Sequence, residues 1–161
     1  MSDKSREMIK LSMSQIGRSG ELLVQYRLLK RGIESAPMTT DSGVDLVVYA
    51  PWRKLAVTIQ VKSNLRPKPA GGKGRMALDW WLSEESPAEL VALVDLDRQQ
   101  IWLFRHKAFA EKAQQRSAGR LHFGFYVEPG ISTGECGAHE QDVKPFLIEN
   151  RISELFGSPP P

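Results

Sequence analysis

The sequence predicts a single mixed α/β domain. Three observations carry that expectation: one long stretch of helical periodicity near the amino terminus, several short apolar runs of period two separated by turn residues, and a length of 161 residues, enough to bury one core of ordinary size. The domain is expected to occupy residues 1–157, with the Ser-Pro-Pro-Pro of 158–161 as a disordered tail.

Each element has its own reason. Residues 4–31 read as one helix because Ile16, Leu23, Val24, Leu28 and Leu29 recur at helical spacing, with a break allowed near Gly17 and Gly20. Gly32 ends it. Strands are expected over 33–36, 44–49 and 55–63, and the turn Pro51-Trp52-Arg53-Lys54 joins the last two into a meander. Residues 64–76 are rich in proline and glycine, which disfavour helix and strand alike, and they carry Arg66, Lys68, Lys73 and Arg75 without an acid, so a mobile basic loop is expected. A short helix is expected at 78–82. Two apolar runs at 89–95 and 100–104, separated by Leu96-Asp97-Arg98-Gln99, read as a second strand pair. A helix over 106–116, a strand over 121–127, a Gly-rich loop over 129–142 and a helix over 143–156 complete the chain.

Composition narrows the function classes. The formal net charge of +3 is too small to argue for a nucleic-acid partner by itself, so the distribution of charge matters more. One cysteine, Cys136, excludes an intrachain disulfide and fits a reducing cytoplasm. Neither an apolar signal core nor a membrane-length apolar run is present, so a cytoplasmic protein with no membrane partner is expected. Cys136 and His139 have no second pair at ligand spacing, which argues against a zinc site. His106 and His122 lack a nucleophile motif, and Trp80, Trp81 and Trp102 lie in apolar surroundings that point to core packing rather than base stacking.

The chemistry-bearing pattern centres on Gln60-Val61-Lys62. Strand periodicity puts Val57, Ile59 and Val61 on one face and Thr58, Gln60 and Lys62 on the other. If the neighbouring strand pairs as a hairpin, Asp45 at its head comes close to Gln60 and Lys62. A carboxylate, an amide oxygen and an ammonium at one spot can hold a divalent ion beside a reacting water. Glu21 shares a helix face with Gly17, Val24 and Leu28, where a carboxylate needs a partner. Each residue also has an ordinary reading. Asp45 follows a Ser-Gly turn, Gln60 and Lys62 fit the solvent face of an amphipathic strand, Glu21 fits a helix surface, and Asp41 fits a turn.

The combination of Gly17-x-x-Gly20-Glu21 on a helix, Asp45, and Gln60-x-Lys62 resembles the PD-(D/E)XK nuclease superfamily, in the variant with Gln in place of the usual acid. The superfamily includes Holliday junction resolvases and restriction enzymes. The resemblance is firmest over 15–64 and echoes through Trp80-Trp81, 91–95 and 101–104. It implies a restriction endonuclease-like core of order α-β-β-β-α-β, a mixed central sheet flanked by helices, and a metal-dependent DNA endonuclease of junction or repair type. The implied cofactor is Mg2+ or Mn2+, with Asp45, Gln60, Glu21 and the backbone carbonyl of Val61 as ligands and Lys62 as the catalytic cation. DNA is the implied partner and a homodimer the implied assembly; independently of the resemblance, the acid-free run of Arg66, Lys68, Lys73 and Arg75 beside this site is expected to meet phosphates rather than serve only as a solvated linker. Gln60 also leaves open a catalytically inactive form of the fold, serving as a DNA-binding or protein-interaction module of a defence or repair system.

Overall fold

The computed structural model describes residues 9–130 and 137–161. Helix α1 covers Met13–Leu29. Ser12 starts it: its hydroxyl accepts the Gln15 N–H while the Gln15 side chain accepts the Ser12 N–H, a reciprocal cap. The helix is therefore shorter at its start than its apolar spacing predicts. Residues 9–12 are not helical, and 4–8 lie outside the described residues. It continues unbroken through Gly17 and Gly20, and the chain turns away at Gly32, where φ is +75°.

Strands β1 (Glu34–Pro37), β2 (Leu46–Ala50) and β3 (Leu55–Asn64) form the expected antiparallel meander. The chain then departs from expectation. Residues 64–76 are not a mobile loop. They contain strand β4 (Lys68–Pro69) and a 3-10 turn at Ala70–Gly72, and β4 pairs with the start of β5 (Met76–Ser83). The helix expected at 78–82 is the middle of β5. Leu78, Trp80 and Leu82 are buried on one face, while Asp79 is exposed and Trp81 half-buried on the other, which is strand alternation.

The chain returns to the first sheet with β6 (Leu90–Asp95), parallel to β3, and β7 (Gln100–Arg105), antiparallel to β6. The five-stranded mixed sheet therefore has the order β1-β2-β3-β6-β7. Helix α2 (His106–Lys112), strand β8 (Gln115–Ser117) and strand β9 (Arg120–Tyr126) follow. With β4 and β5 the last two strands form a second, wholly antiparallel sheet of order β4-β5-β9-β8. The helix expected over 143–156 is divided: a 3-10 segment spans Glu140–Phe146 and contains Pro145, and after Leu147 helix α3 runs over Ile148–Phe156. The expected mixed α/β architecture, a central mixed sheet flanked by helices, is what the chain adopts. The connection between β3 and β6 is the exception, since it passes through strands rather than a helix.

The core has two layers. Val24 and Leu28 of α1 and Ile152, Leu155 and Phe156 of α3 pack on one face of the five-stranded sheet against Leu46, Val48, Val57, Ile59, Ala92, Val94 and Leu103. The other face meets the second sheet, where Leu78, Trp80, Phe123 and Phe125 pack on Val91, Leu93, Trp102 and Phe104. Strand β6 is buried on both faces, which is why its sequence is a continuous apolar run rather than an alternating one. Trp80 and Trp102 are core, as expected. Trp81 faces outward, against His122 with ring centroids 4.6 Å apart and under the Arg120 guanidinium.

Candidate active site

The site lies where β2 ends and β3 goes on alone. Leu46 pairs with Ile59, the last rung of the β2–β3 ladder on that side. One residue earlier, the Asp45 N–H still donates to the Ile59 carbonyl at 2.9 Å, but the Asp45 side chain then turns in and its Oδ2 accepts the Val61 N–H at 2.6 Å. The carboxylate thus occupies the place of a further rung. Since the N–H and C=O of one strand residue leave by the same edge, the Val61 carbonyl opens beside Asp45 as well.

Glycine brings the helix in. A Cβ on Gly20 would lie 1.8 Å from Ser63 Oγ and 2.9 Å from Ser63 Cβ, so only glycine admits this approach of α1 to β3. Gly17 does not share the role, because a Cβ there would meet nothing within 4 Å. Glu21 follows Gly20 directly and is drawn to the Asp45 corner. Its partner is Arg18, whose guanidinium lies 2.7 Å from Glu21 Oε2.

The electrostatics link these groups. Burial pushes the Asp45 carboxyl above its usual range; the Val61 N–H works against that rise, Glu21 adds to it, Lys62 opposes it, and Asp41 adds least. Asp45 is therefore a half-buried carboxylate for which a further positive charge would be favourable. Lys62 is half-buried and has no carboxylate within salt-bridge distance among the described residues.

Gln60 is in a different state from that expected of a ligand. It is 9% exposed, and its Oε1 accepts a hydrogen bond from the Ser86 hydroxyl at 2.9 Å. Ser86 was not legible as a site residue, because it is 26 positions along the chain and belongs to a Ser-Glu-Glu-Ser-Pro loop with no motif. The same loop is fastened elsewhere: Glu89 N–H donates to Thr58 Oγ1 at 3.1 Å, and Pro87 lies so close to Gly43 that a Cβ there would be 2.9 Å from its Cδ.

Among the described residues no three His, Cys, Asp or Glu side chains converge as a ready metal cage. A small hard cation does not require one, since Mg2+ keeps several waters and takes one or two carboxylates. Asp45, Glu21 and the Val61 carbonyl fit that sparse demand. Cys136 lies outside the described residues, so the zinc argument at Cys136 and His139 rests on sequence spacing alone.

The basic segment is more tied down than its composition implied. Arg66 lies 3.0 Å from Asp97, and Arg75 lies 3.6 Å from Glu128, which also accepts the Met76 N–H. Lys68 and Lys73 are exposed and have no acidic partner among the described residues. The four cations are thus two anchors and two free charges.

No protein-family model matches the chain, and no curated protein matches it in sequence. Its fold, however, is found in solved nucleases. A bacterial homing endonuclease, I-Ssp6803I, superposes with a TM-score of 0.55 at 13% identity, covering 78% of this chain and 86% of that one. The Holliday junction resolvase Hjc of the archaeal hyperthermophile Archaeoglobus fulgidus superposes with a TM-score of 0.52 at 19% identity, covering 90% of this chain and 98% of that one. At such identities the likeness establishes the fold, which is of restriction endonuclease type. No described helix is long and apolar enough to cross a membrane.

Proposed function

We propose that this protein is a metal-dependent DNA endonuclease whose active site is the corner formed by Asp45, Glu21, Lys62 and the backbone of Val61. The observation that carries the reading is the Asp45 carboxylate, turned into the gap beyond the last β2–β3 rung with Glu21 and Lys62 in electrostatic reach. That arrangement occurs in a fold shared with an endonuclease and a junction resolvase.

Phosphodiester hydrolysis needs an activated water, neutralisation of charge developing on the phosphate, and protonation of the departing oxygen. Asp45, Glu21 and the Val61 carbonyl would hold a divalent cation, Mg2+ or Mn2+, which would supply Lewis acidity and a more acidic water. Lys62 places its ammonium where negative charge accumulates on the phosphate and orients the water. Val61 N–H fixes the Asp45 carboxylate by one oxygen and leaves Oδ1 for the cation. Lys68 and Lys73 meet backbone phosphates, with Arg66 and Arg75 holding the segment that bears them.

A second reading has one observation in its favour: position 60 carries an amide already engaged by Ser86, which suits a DNA-binding form of the fold without catalysis. Nicking of plasmid and branched DNA in Mg2+ or Mn2+, with Asp45→Ala as the control, separates the two. Cation-dependent cleavage lost in the variant supports the nuclease. Salt-dependent binding without cleavage in either protein supports the second reading.

A further inference from the structure

The superfamily that the sequence resembles usually carries an acid at the position of Gln60, and in this chain the amide oxygen is turned to Ser86. That hydrogen bond runs from the hydroxyl to the amide oxygen. Ser86 Oγ accepts the Ala88 N–H at 3.4 Å, so its own proton is available to an acceptor, and the acceptor at 2.9 Å is Gln60 Oε1. With Thr58 and Gly43 fastening the two sides of the loop, Ser86 cannot easily withdraw. Among the described residues the amide Nε2 has no hydrogen-bond partner, and it is not among the buried polar atoms left without one. The uncommitted edge of Gln60 is therefore its N–H2 group.

We propose that Ser86 is a positioning residue that holds Gln60 with its oxygen away from the cation, so that Gln60 serves the site as a hydrogen-bond donor to a phosphate oxygen and not as a metal ligand. This rests on the nuclease reading and deepens it. Cation binding then falls to Asp45, Glu21 and the Val61 carbonyl, and position 60 contributes a neutral donor to the phosphate in place of the anionic ligand that an acid would have supplied.

The test is Mn2+ affinity, read by electron paramagnetic resonance without DNA, in the parent, Ser86→Ala, Ser86→Thr, Gln60→Glu and the double variant Gln60→Glu with Ser86→Ala. Freed from the hydroxyl, the amide can turn its oxygen inward, so Ser86→Ala should bind Mn2+ about tenfold more tightly, the scale on which ligand-orienting neighbours act. Ser86→Thr keeps the hydroxyl and should match the parent. Gln60→Glu should also bind more tightly, and Ser86→Ala should add little to it, because a carboxylate has a second oxygen to offer. Weaker binding in Ser86→Ala would mean that Ser86 orients a true ligand, and unchanged binding that the Ser86 hydroxyl is merely structural; either overturns the proposal and leaves the nuclease reading intact. Absence of Mn2+ binding in all five proteins, Gln60→Glu included, removes the cation site and the proposal with it.

Discussion

The two halves of β3 differ in what lies along one edge. From Leu55 to Ile59 the strand is paired with β2 across one edge, and its inward residues are apolar core. From Gln60 to Asn64 it pairs only with β6, and on the vacated edge the Asp45 side chain takes the Val61 N–H, while the Asn64 side-chain amide donates across to the Asp79 carbonyl of β5 at 2.8 Å. The first half is a structural strand. The second half exposes backbone polar groups next to a carboxylate, and that is what makes a site possible there.

The sharpest way to test this division is to truncate one residue in each half. Lys62→Ala and Asp45→Ala should each reduce cation-dependent cleavage about a hundredfold or more, the scale of losing one aimed charge or donor at a reacting phosphate. Ile59→Ala, in the paired half, should instead cost about 2–5 kcal/mol of stability, with cleavage per folded molecule unchanged. Denaturant titration alongside single-turnover cleavage resolves the two effects. Equal loss of activity in all three variants would erase the functional distinction between the halves.

The two glycines of α1 extend the contrast to the helix that faces them. Gly20→Ala forces a methyl into Ser63 and should destabilise by about 1–3 kcal/mol while pushing Glu21 out of place and lowering cleavage. Gly17→Ala meets open space and should stabilise by roughly 1 kcal/mol, the helix-propensity gain. Thermal melts of the two variants shifting in the same direction would show that α1 does not depend on glycine for its approach to β3.

These glycines also mark the boundary of what could be read in the sequence. Gly17 and Gly20 look alike as letters, and only the packing of Ser63 beneath one of them tells them apart. The meander and Asp45 at its head were legible, because alternation and a turn are local. The second sheet was not. Trp80-Trp81 within a short apolar stretch fits a helix as well as a strand, and the partner that decides, β9, begins at Arg120. Ser86 was hidden for the same reason, and the acids that anchor the basic segment, Asp97 and Glu128, are equally remote from it in sequence.

That anchoring changes what the basic segment should contribute. Replacing Lys68 and Lys73 together should lower the slope of log DNA affinity against log salt by about two, roughly one for each phosphate no longer neutralised. Replacing Arg66 and Arg75 should change the slope less, because their charges are already partnered, and should act mainly by loosening the segment. A larger slope change from the arginine pair than from the lysine pair would reverse the assignment of anchors and free charges.

The smallest expected effect concerns Asp45 itself, whose position at the end of the ladder has an electrostatic cost that the paired half of β3 does not bear. Burial raises its carboxyl above the ordinary value of 3.8, so the folded state holds the proton more tightly than the unfolded chain does. The associated stability is fully present below 3.8 and is lost as pH rises through the folded-state value, after which it is flat. Asp45→Asn removes the ionisation and keeps an oxygen for the Val61 N–H. In EDTA at neutral pH the variant should therefore melt above the parent, and the gap should close as the solution is acidified toward 3.8. Adding Mg2+ should raise the melting temperature of the parent more than that of the variant, because a cation offsets the buried charge that only the parent carries. A variant less stable than the parent at neutral pH in EDTA would show that the charge on Asp45 strengthens its bond to Val61 by more than burial costs, and would make Asp45 a structural cap first.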